Sequence, residues 1–159
     1  EEMDSDLLQR TMQLNFNGNV AVMRACAPFL KLGYSPSVVL MSSKNVPAPG
    51  PGAGAYSAAK SALTQMGRVA AMELGGDGIR VNMLHPNAVF DTGIWTEEVL
   101  SSRAASYGLS IDEYKRNNIL KAEITSHDVA DLVVAVCGES FAKTTGAQIP
   151  IDGGNERVI

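Results

Sequence analysis

Ser43, Tyr56 and Lys60 are the residues of this chain whose types and spacing suit proton transfer. Tyr56 and Lys60 stand four apart at the start of a helical pattern, so on a helix the phenol and the ammonium share a face. A nearby positive charge favours the phenolate and lowers a tyrosine pKa. Moving a tyrosine from about 10 to about 7 needs roughly 4 kcal/mol. A unit charge about 5 Å away, at an effective dielectric near 20, supplies roughly 3 kcal/mol. One lysine therefore does most of that work, and Tyr56 becomes a usable general acid/base near neutral pH. Ser43 closes the apolar run Val38-Val39-Leu40-Met41, and a Pro/Gly-rich loop over 44–54 separates it from Tyr56. Taken alone, a Tyr-x-x-x-Lys pair fits equally a partly buried tyrosine beside a surface lysine.

The elements that must position these groups follow from periodicity. A helix runs from a cap at Asp4 or Ser5 to about residue 31, with Leu7, Leu8, Met12, Phe16, Val20, Met23 and Leu30 near one apolar stripe. Its middle breaks the local rule, because Asn15, Asn17, Gly18 and Asn19 are poor helix formers. The glycine alone costs about 1 kcal/mol relative to alanine. Function or close packing tends to sit at such a conflict. A Gly18 that admits a neighbouring helix, flanked by solvated asparagines, accounts for it as well. Pro28 marks a kink or stop near the helix end. Buried strands are expected over about 37–42 and 79–84, with a helix over about 55–74 between them that stops at Gly75-Gly76. His85-Pro86-Asn87 then ends the second strand. Helices follow from Thr96, from the capping box Ser110-Ile111-Asp112-Glu113 and from a cap at Ser126. The last strand, over about 147–151, contains Pro150 and so belongs at a sheet edge. This alternation means an α/β fold, a parallel sheet covered on both faces by helices. Three strands are half of such a sheet.

With 159 residues the chain is one domain, burying about 70% of its unfolded surface. Its 45% hydrophobic and 19% charged residues are ordinary for a globular protein, and a net charge of −4 without a basic stripe excludes a nucleic-acid partner. No apolar run approaches the roughly 20 residues that cross a bilayer, so no membrane partner is expected. Cys26 and Cys137, isolated among apolar neighbours, read as buried core thiols of a reducing, cytoplasmic protein. The opening Glu1-Glu2-Met3-Asp4 has no signal peptide and no initiator methionine, and is expected to be a cut into a longer chain. The run Gly50-Pro51-Gly52-Ala53-Gly54 lacks G-x-G-x-x-G spacing, and Ala59 stands where a P-loop needs glycine before Lys60. His85, read as a loop residue, and His127, in a first helical turn, have no ligand partner at metal spacing. The charges around Lys115-Arg116 read as a solvated face.

Ser43, Tyr56 and Lys60, the run Gly78-Ile79-Arg80-Val81-Asn82 before His85-Pro86, and the closing Thr145-Gly146-Ala147-Gln148-Ile149-Pro150-Ile151-Asp152-Gly153-Gly154 occur in one order. That order resembles the short-chain dehydrogenase/reductase family over almost the whole chain. The resemblance implies the C-terminal half of a Rossmann-like, doubly wound parallel sheet, a partial NAD(P)-binding domain over 1–159. It implies that Tyr56 is the acid/base and that Lys60 assists it while holding the nicotinamide ribose. Ser43 would bind the substrate oxygen and Asn15 would anchor a proton-relay water. NAD or NADP would be the cofactor, with Tyr56, Lys60, Pro86, Asn87 and Val89 on its nicotinamide side, and the substrate a small hydroxy or carbonyl compound. Family members have Pro-Gly where this chain has Pro86-Asn87, and a threonine where Asp91 stands, with Thr92 next to it. Asparagine tolerates unusual backbone angles, which would preserve the turn. The segment ending Ile94-Trp95 and the run Arg103-Ala104-Ala105-Ser106-Tyr107 are similar to the dehydrogenase module fused behind a class II sugar-phosphate aldolase, which implies an upstream aldolase domain. The family's N-terminal half, with its glycine-rich turn, is missing, so the chain alone is expected to bind dinucleotide poorly and to be inactive. Relatives pack the Asn15 and Tyr56 helices between subunits, implying a homo-oligomer. A non-catalytic fragment acting only through such contacts is the alternative.

Overall fold

The computed structural model describes residues 4–155. Three parallel strands, β1 (Ser37–Met41), β2 (Arg80–Pro86) and β3 (Gln148–Ile151), lie in the order β1-β2-β3. In register, Leu40 stands opposite Met83 and Leu84 opposite Ile149. The central strand is buried from Arg80 to His85, which is why it reads as a continuous run instead of an alternating one. It extends beyond the expected 79–84, because His85 and Pro86 still pair with Pro150 and Ile151. His85 is therefore not a loop residue; it is 3% exposed within the sheet. Pro150 lies on the outer strand of the three, as a residue without an N–H requires.

Helix α1 (Ser5–Met12) is capped by Asp4, whose side chain accepts from Asp6 N–H. A π-helical turn, Gln13–Asn17, then joins it to α2 (Gly18–Leu30). The asparagines explain that turn. Asn15 Nδ2 donates to Thr11 O and Asn19 Nδ2 to Asn15 O, so side chains compete for carbonyls that a regular helix gives to backbone N–H groups. The expected local conflict is thus a widened turn, a feature often found at functional sites.

Helix α3 (Gly54–Leu74) lies across the sheet, and Leu63, Ala70 and Ala71 pack with Leu40, Ile79, Val81 and Met83. A Cβ at Gly67 would stand 2.7 Å from Leu40 Cδ1 and 2.8 Å from Met83 Sδ, so the close approach of helix to sheet depends on this glycine. Gly67→Ala should lower stability by about 1–3 kcal/mol through overpacking, read as a lower urea midpoint at unchanged m-value.

The remaining helices are α4 (Glu97–Ser106), α5 (Ile111–Lys115) and α6 (Ser126–Cys137). Helix α6 packs against β1 and β2, and Arg80 ties down its end. The Arg80 guanidinium donates to Val136 O and Cys137 O at 2.8 Å and to Phe141 O at 3.1 Å, placing a cation on the last carbonyls of a helix. Asn82 is fully buried, donating to Thr144 O and accepting from Ala147 N–H, which fixes the approach to β3. The Arg-Val-Asn run is thereby explained: alternate residues clamp the α6 side and fill the α3 side.

Two further expectations fail. The cap of α6 is Thr125, in a capping box with Asp128, one residue before the expected Ser126. Both cysteines are exposed, Cys26 on a helix with no fully buried residue and Cys137 at the last position of α6. No helix of the described residues is long and apolar enough to cross a membrane.

Candidate active site

The site forms where β1 ends and α3 begins. Beyond Met41 the chain continues to run beside β2, with Ser42 N–H donating to Leu84 O at 2.8 Å and Lys44 N–H to Pro86 O at 3.0 Å. Ser43 is held between these bonds and is 6% exposed. Its Oγ accepts from Asn45 N–H at 3.1 Å, which leaves the hydroxyl proton to be donated elsewhere.

Lys60 is 9% exposed, and its Nζ donates to Met41 O at 2.9 Å. That single bond ties the first turns of α3 to the strand end two residues before Ser43. The same Nζ stands 5.7 Å from the centre of the Tyr56 ring, within cation–π range. The shared face expected from the four-residue spacing is therefore present. Burial pushes the Lys60 ammonium below the ordinary lysine pKa. Tyr56 itself is 36% exposed, so its ring lines the surface of the site and not the core.

Asn15 lies in the π turn, which packs against α3. Its side chain bonds within its own helix, to Thr11 O at 3.2 Å. The structure thus brings Lys60 beside Tyr56 and ties it to Met41, two residues before Ser43, and sets Asn15 on the adjoining helix.

Pro86, Asn87 and Val89 follow from the end of β2. Asn87 N–H donates to Ile151 O at 3.2 Å, and Val89 O accepts from Thr92 Oγ1 at 2.8 Å. The turn does not use the left-handed backbone that asparagine was expected to provide: among the described residues, only Ser35 and Lys121 have positive φ without being glycine. Asp91 has a different role from the threonine it displaces. Its carboxylate accepts from Ser126 N–H at 2.8 Å and Ser126 Oγ at 2.7 Å, and those bonds hold its pKa below the usual aspartate value. The loop after β2 is so fastened to the first turn of α6.

One residue beyond Ser43 a cavity of about 290 Å³ opens, with Lys44, Asn87, Tyr107, Tyr114, Asn118 and Asp152 in its wall. Tyr56 and Lys60 are not part of that wall. Periodicity gave no sign of this cavity, since its wall comes from loops, two short helices and the turn after β3. Aromatic packing builds one side, with Phe90 4.9 Å from Trp95 and 5.8 Å from Tyr114, and Tyr107 5.7 Å from Tyr114. The pair Tyr107 and Tyr114, seven residues apart after Trp95, was the available signal. Burial, then the neighbouring Tyr107, pushes the Tyr114 phenol up, so it stays a protonated donor. Lys115 is not on a solvated face: it pairs with Glu123 at 3.0 Å and sits 6.0 Å from the Phe90 ring.

Known proteins match this arrangement. A family model described as enoyl-(acyl carrier protein) reductase matches residues 1–156. Oxidoreductase YuxG of Bacillus subtilis is 37% identical over 123 residues, covering 74% of this chain and 18% of that protein. The NAD-dependent oxidoreductase Rv0687 of Mycobacterium tuberculosis is 30% identical over 155 residues, covering 96% of this chain and 56% of the relative. A short-chain dehydrogenase family protein from Francisella tularensis superposes with a TM-score of 0.82 at 27% identity, over 99% of this chain and 65% of that one. The chain thus spans about half, or much less, of the length of the two relatives. Since the family match runs along the whole sheet and both sides of the Ser43–Lys60 junction, the chain belongs to the short-chain dehydrogenase/reductase family.

Proposed function

We propose that these residues are the catalytic part of an NAD(P)-dependent oxidoreductase that interconverts an alcohol and a carbonyl on a small, polar, sugar-derived compound. The observation that carries this reading is the buried Lys60 ammonium, tied to Met41 O at 2.9 Å and placed 5.7 Å from the Tyr56 ring centre. Tyr56 donates its proton to the substrate oxygen in reduction and takes it back in oxidation. The Lys60 charge stabilises the negative charge left on the phenolic oxygen. Ser43 Oγ–H steadies the substrate oxygen as charge develops there.

The residues fit a nicotinamide nucleotide. An ammonium has three N–H donors, and Met41 O takes one, so two are left for ribose hydroxyls. Pro86, Asn87 and Val89 flank the same strand ends and would border the nicotinamide, which, when bound, supplies or accepts the hydride. The name of the Mycobacterium tuberculosis relative supports NAD. Asn15 would hold a water that replenishes the proton at Lys60. The amides, phenols and Lys44 around the 290 Å³ cavity support a substrate rich in hydroxyl groups. A match that fills only 18% of the Bacillus subtilis relative supports a long parent protein, as an aldolase joined to this module would be. Exposed apolar side chains on α2 and α3, Val22, Phe29 and Met72 among them, support packing between subunits. A purely non-catalytic role is not favoured, because the relatives above are named as oxidoreductases or dehydrogenases.

The natural full-length protein should oxidise NADH or NADPH in the presence of small hydroxy-aldehydes or hydroxy-ketones. The 159 residues alone carry no G-x-G-x-x-G turn for the pyrophosphate, so NADH fluorescence should show no tight, saturable binding to them. Absence of turnover across such a panel contradicts the reading, whereas tight binding by the 159 residues contradicts only the expectation that they hold dinucleotide poorly.

A further inference from the structure

We infer that His85 is a positioning residue for Ser43, and that its Nδ1–H fixes the direction of the serine hydroxyl. It has this role only if the oxidoreductase reading holds. His85 Nδ1 lies 2.8 Å from Ser43 O, and a carbonyl only accepts, so Nδ1 carries the proton. Val46 N–H donates to the same carbonyl at 3.1 Å, and Asn45 N–H to Ser43 Oγ at 3.1 Å. The serine is gripped at both its carbonyl and its hydroxyl.

The sheet needs a side chain for this task because of Pro86. Along the paired ends of β1 and β2, Ser42 and Lys44 both donate to β2 carbonyls. The bond in the other direction would come from the backbone N–H of residue 86, which proline lacks. His85 restores a donor from β2 to the end of β1, one carbonyl further on. Packing alone does not account for a histidine here. His85 is 3% exposed on a buried strand, and its Nε2 has no hydrogen-bond partner among the described residues. A buried polar atom without a partner opposes folding, and leucine would fill similar space without one. A local sacrifice of this kind beside Ser43 is what a positioning role predicts.

Three substitutions in the natural full-length protein separate the possibilities. Asparagine puts an N–H near the place of Nδ1, glutamine puts one near the place of Nε2, and leucine fills the space and donates nothing. With NADH and dihydroxyacetone or glyceraldehyde as probes, His85→Gln and His85→Leu should lower kcat by about 10- to 100-fold, while His85→Asn stays within about threefold. The KM for NADH should hold in all three, since the contact acts on the chemical step. On a Ser43→Ala background the glutamine change should cost nothing more, because the two residues act as one. Amide exchange measured by NMR should quicken at Asn45 and Val46 in the glutamine and leucine variants and not in the asparagine variant. Equal losses for asparagine and glutamine, a full further loss on the Ser43→Ala background, or unchanged exchange would each overturn the inference. A wild type that reduces neither probe defeats the substrate reading, and the exchange data then decide the role of His85 by themselves.

Discussion

Tyr56→Phe should lower kcat of the natural full-length protein by about 10²- to 10⁴-fold, the usual contribution of a positioned general acid/base. Stability should stay within about 0.5 kcal/mol, as for a surface substitution. The two halves of this expectation come from different observations. The ring is 36% exposed, and the buried face of this end of α3 is formed by Ala55, Ala59 and Leu63, none of which the change touches. Phenylalanine keeps the ring under the Lys60 ammonium, so the 5.7 Å contact survives and only the transferable proton is lost. Initial rates of NADH oxidation and a urea denaturation curve measure the two effects. A variant that kept more than a tenth of the wild-type rate would remove Tyr56 from the reaction. A large fall in the urea midpoint would show that the hydroxyl is structural.

The residues of the site were legible wherever spacing alone decides geometry. A four-residue interval on a helix puts Tyr56 and Lys60 on one face whatever surrounds them, and the β-branched or apolar runs at about 37–42 and 79–84 make strands whatever they pair with. The weak helix formers around Asn15 announced an irregularity, which is the π turn. Burial was less legible, because it depends on which face a second element covers. Cys26 has apolar neighbours in sequence, yet α2 keeps no residue fully buried and flanks an open apolar groove of about 490 Å³ beside β1. His85 looked like a strand terminator next to proline, yet its side chain is buried and its backbone prolongs the pairing with β3. Thr125 is an inconspicuous cap, because its partner three residues on is Asp128 and not the glutamate or glutamine of the usual box. The wall of the cavity beyond Lys44 comes from segments that the sheet alone brings together, and no window of sequence contains it.

Lys60→Met should lower kcat by about 100-fold, since a unit charge about 5 to 6 Å away at an effective dielectric near 20 supplies roughly 3 kcal/mol. The KM for NADH should rise as well, because the ammonium donors offered to the ribose disappear. A fall in kcat with an unchanged KM would confine the lysine to the tyrosine and deny it a cofactor contact. The same substitution gives a stability signature that needs no substrate. Burial depresses the folded-state pKa of Lys60 below its ordinary value of 10.5. Well below the folded pKa both states are protonated, and the native state carries the full cost of a poorly solvated cation. Between the folded pKa and 10.5 the unfolded chain binds more protons than the native one, so wild-type stability gains on that of the methionine variant as pH rises. Urea midpoints for both proteins at neutral and alkaline pH should therefore show the wild-type minus variant difference climbing toward pH 10.5 and flat below the folded pKa. The hydrogen bond to Met41 O works against the cost of burial by favouring the ammonium. If it won, the difference would fall with pH. The sign of that slope thus tells whether Lys60 is held against its preference, as a residue kept for chemistry is, or simply anchors α3 to β1.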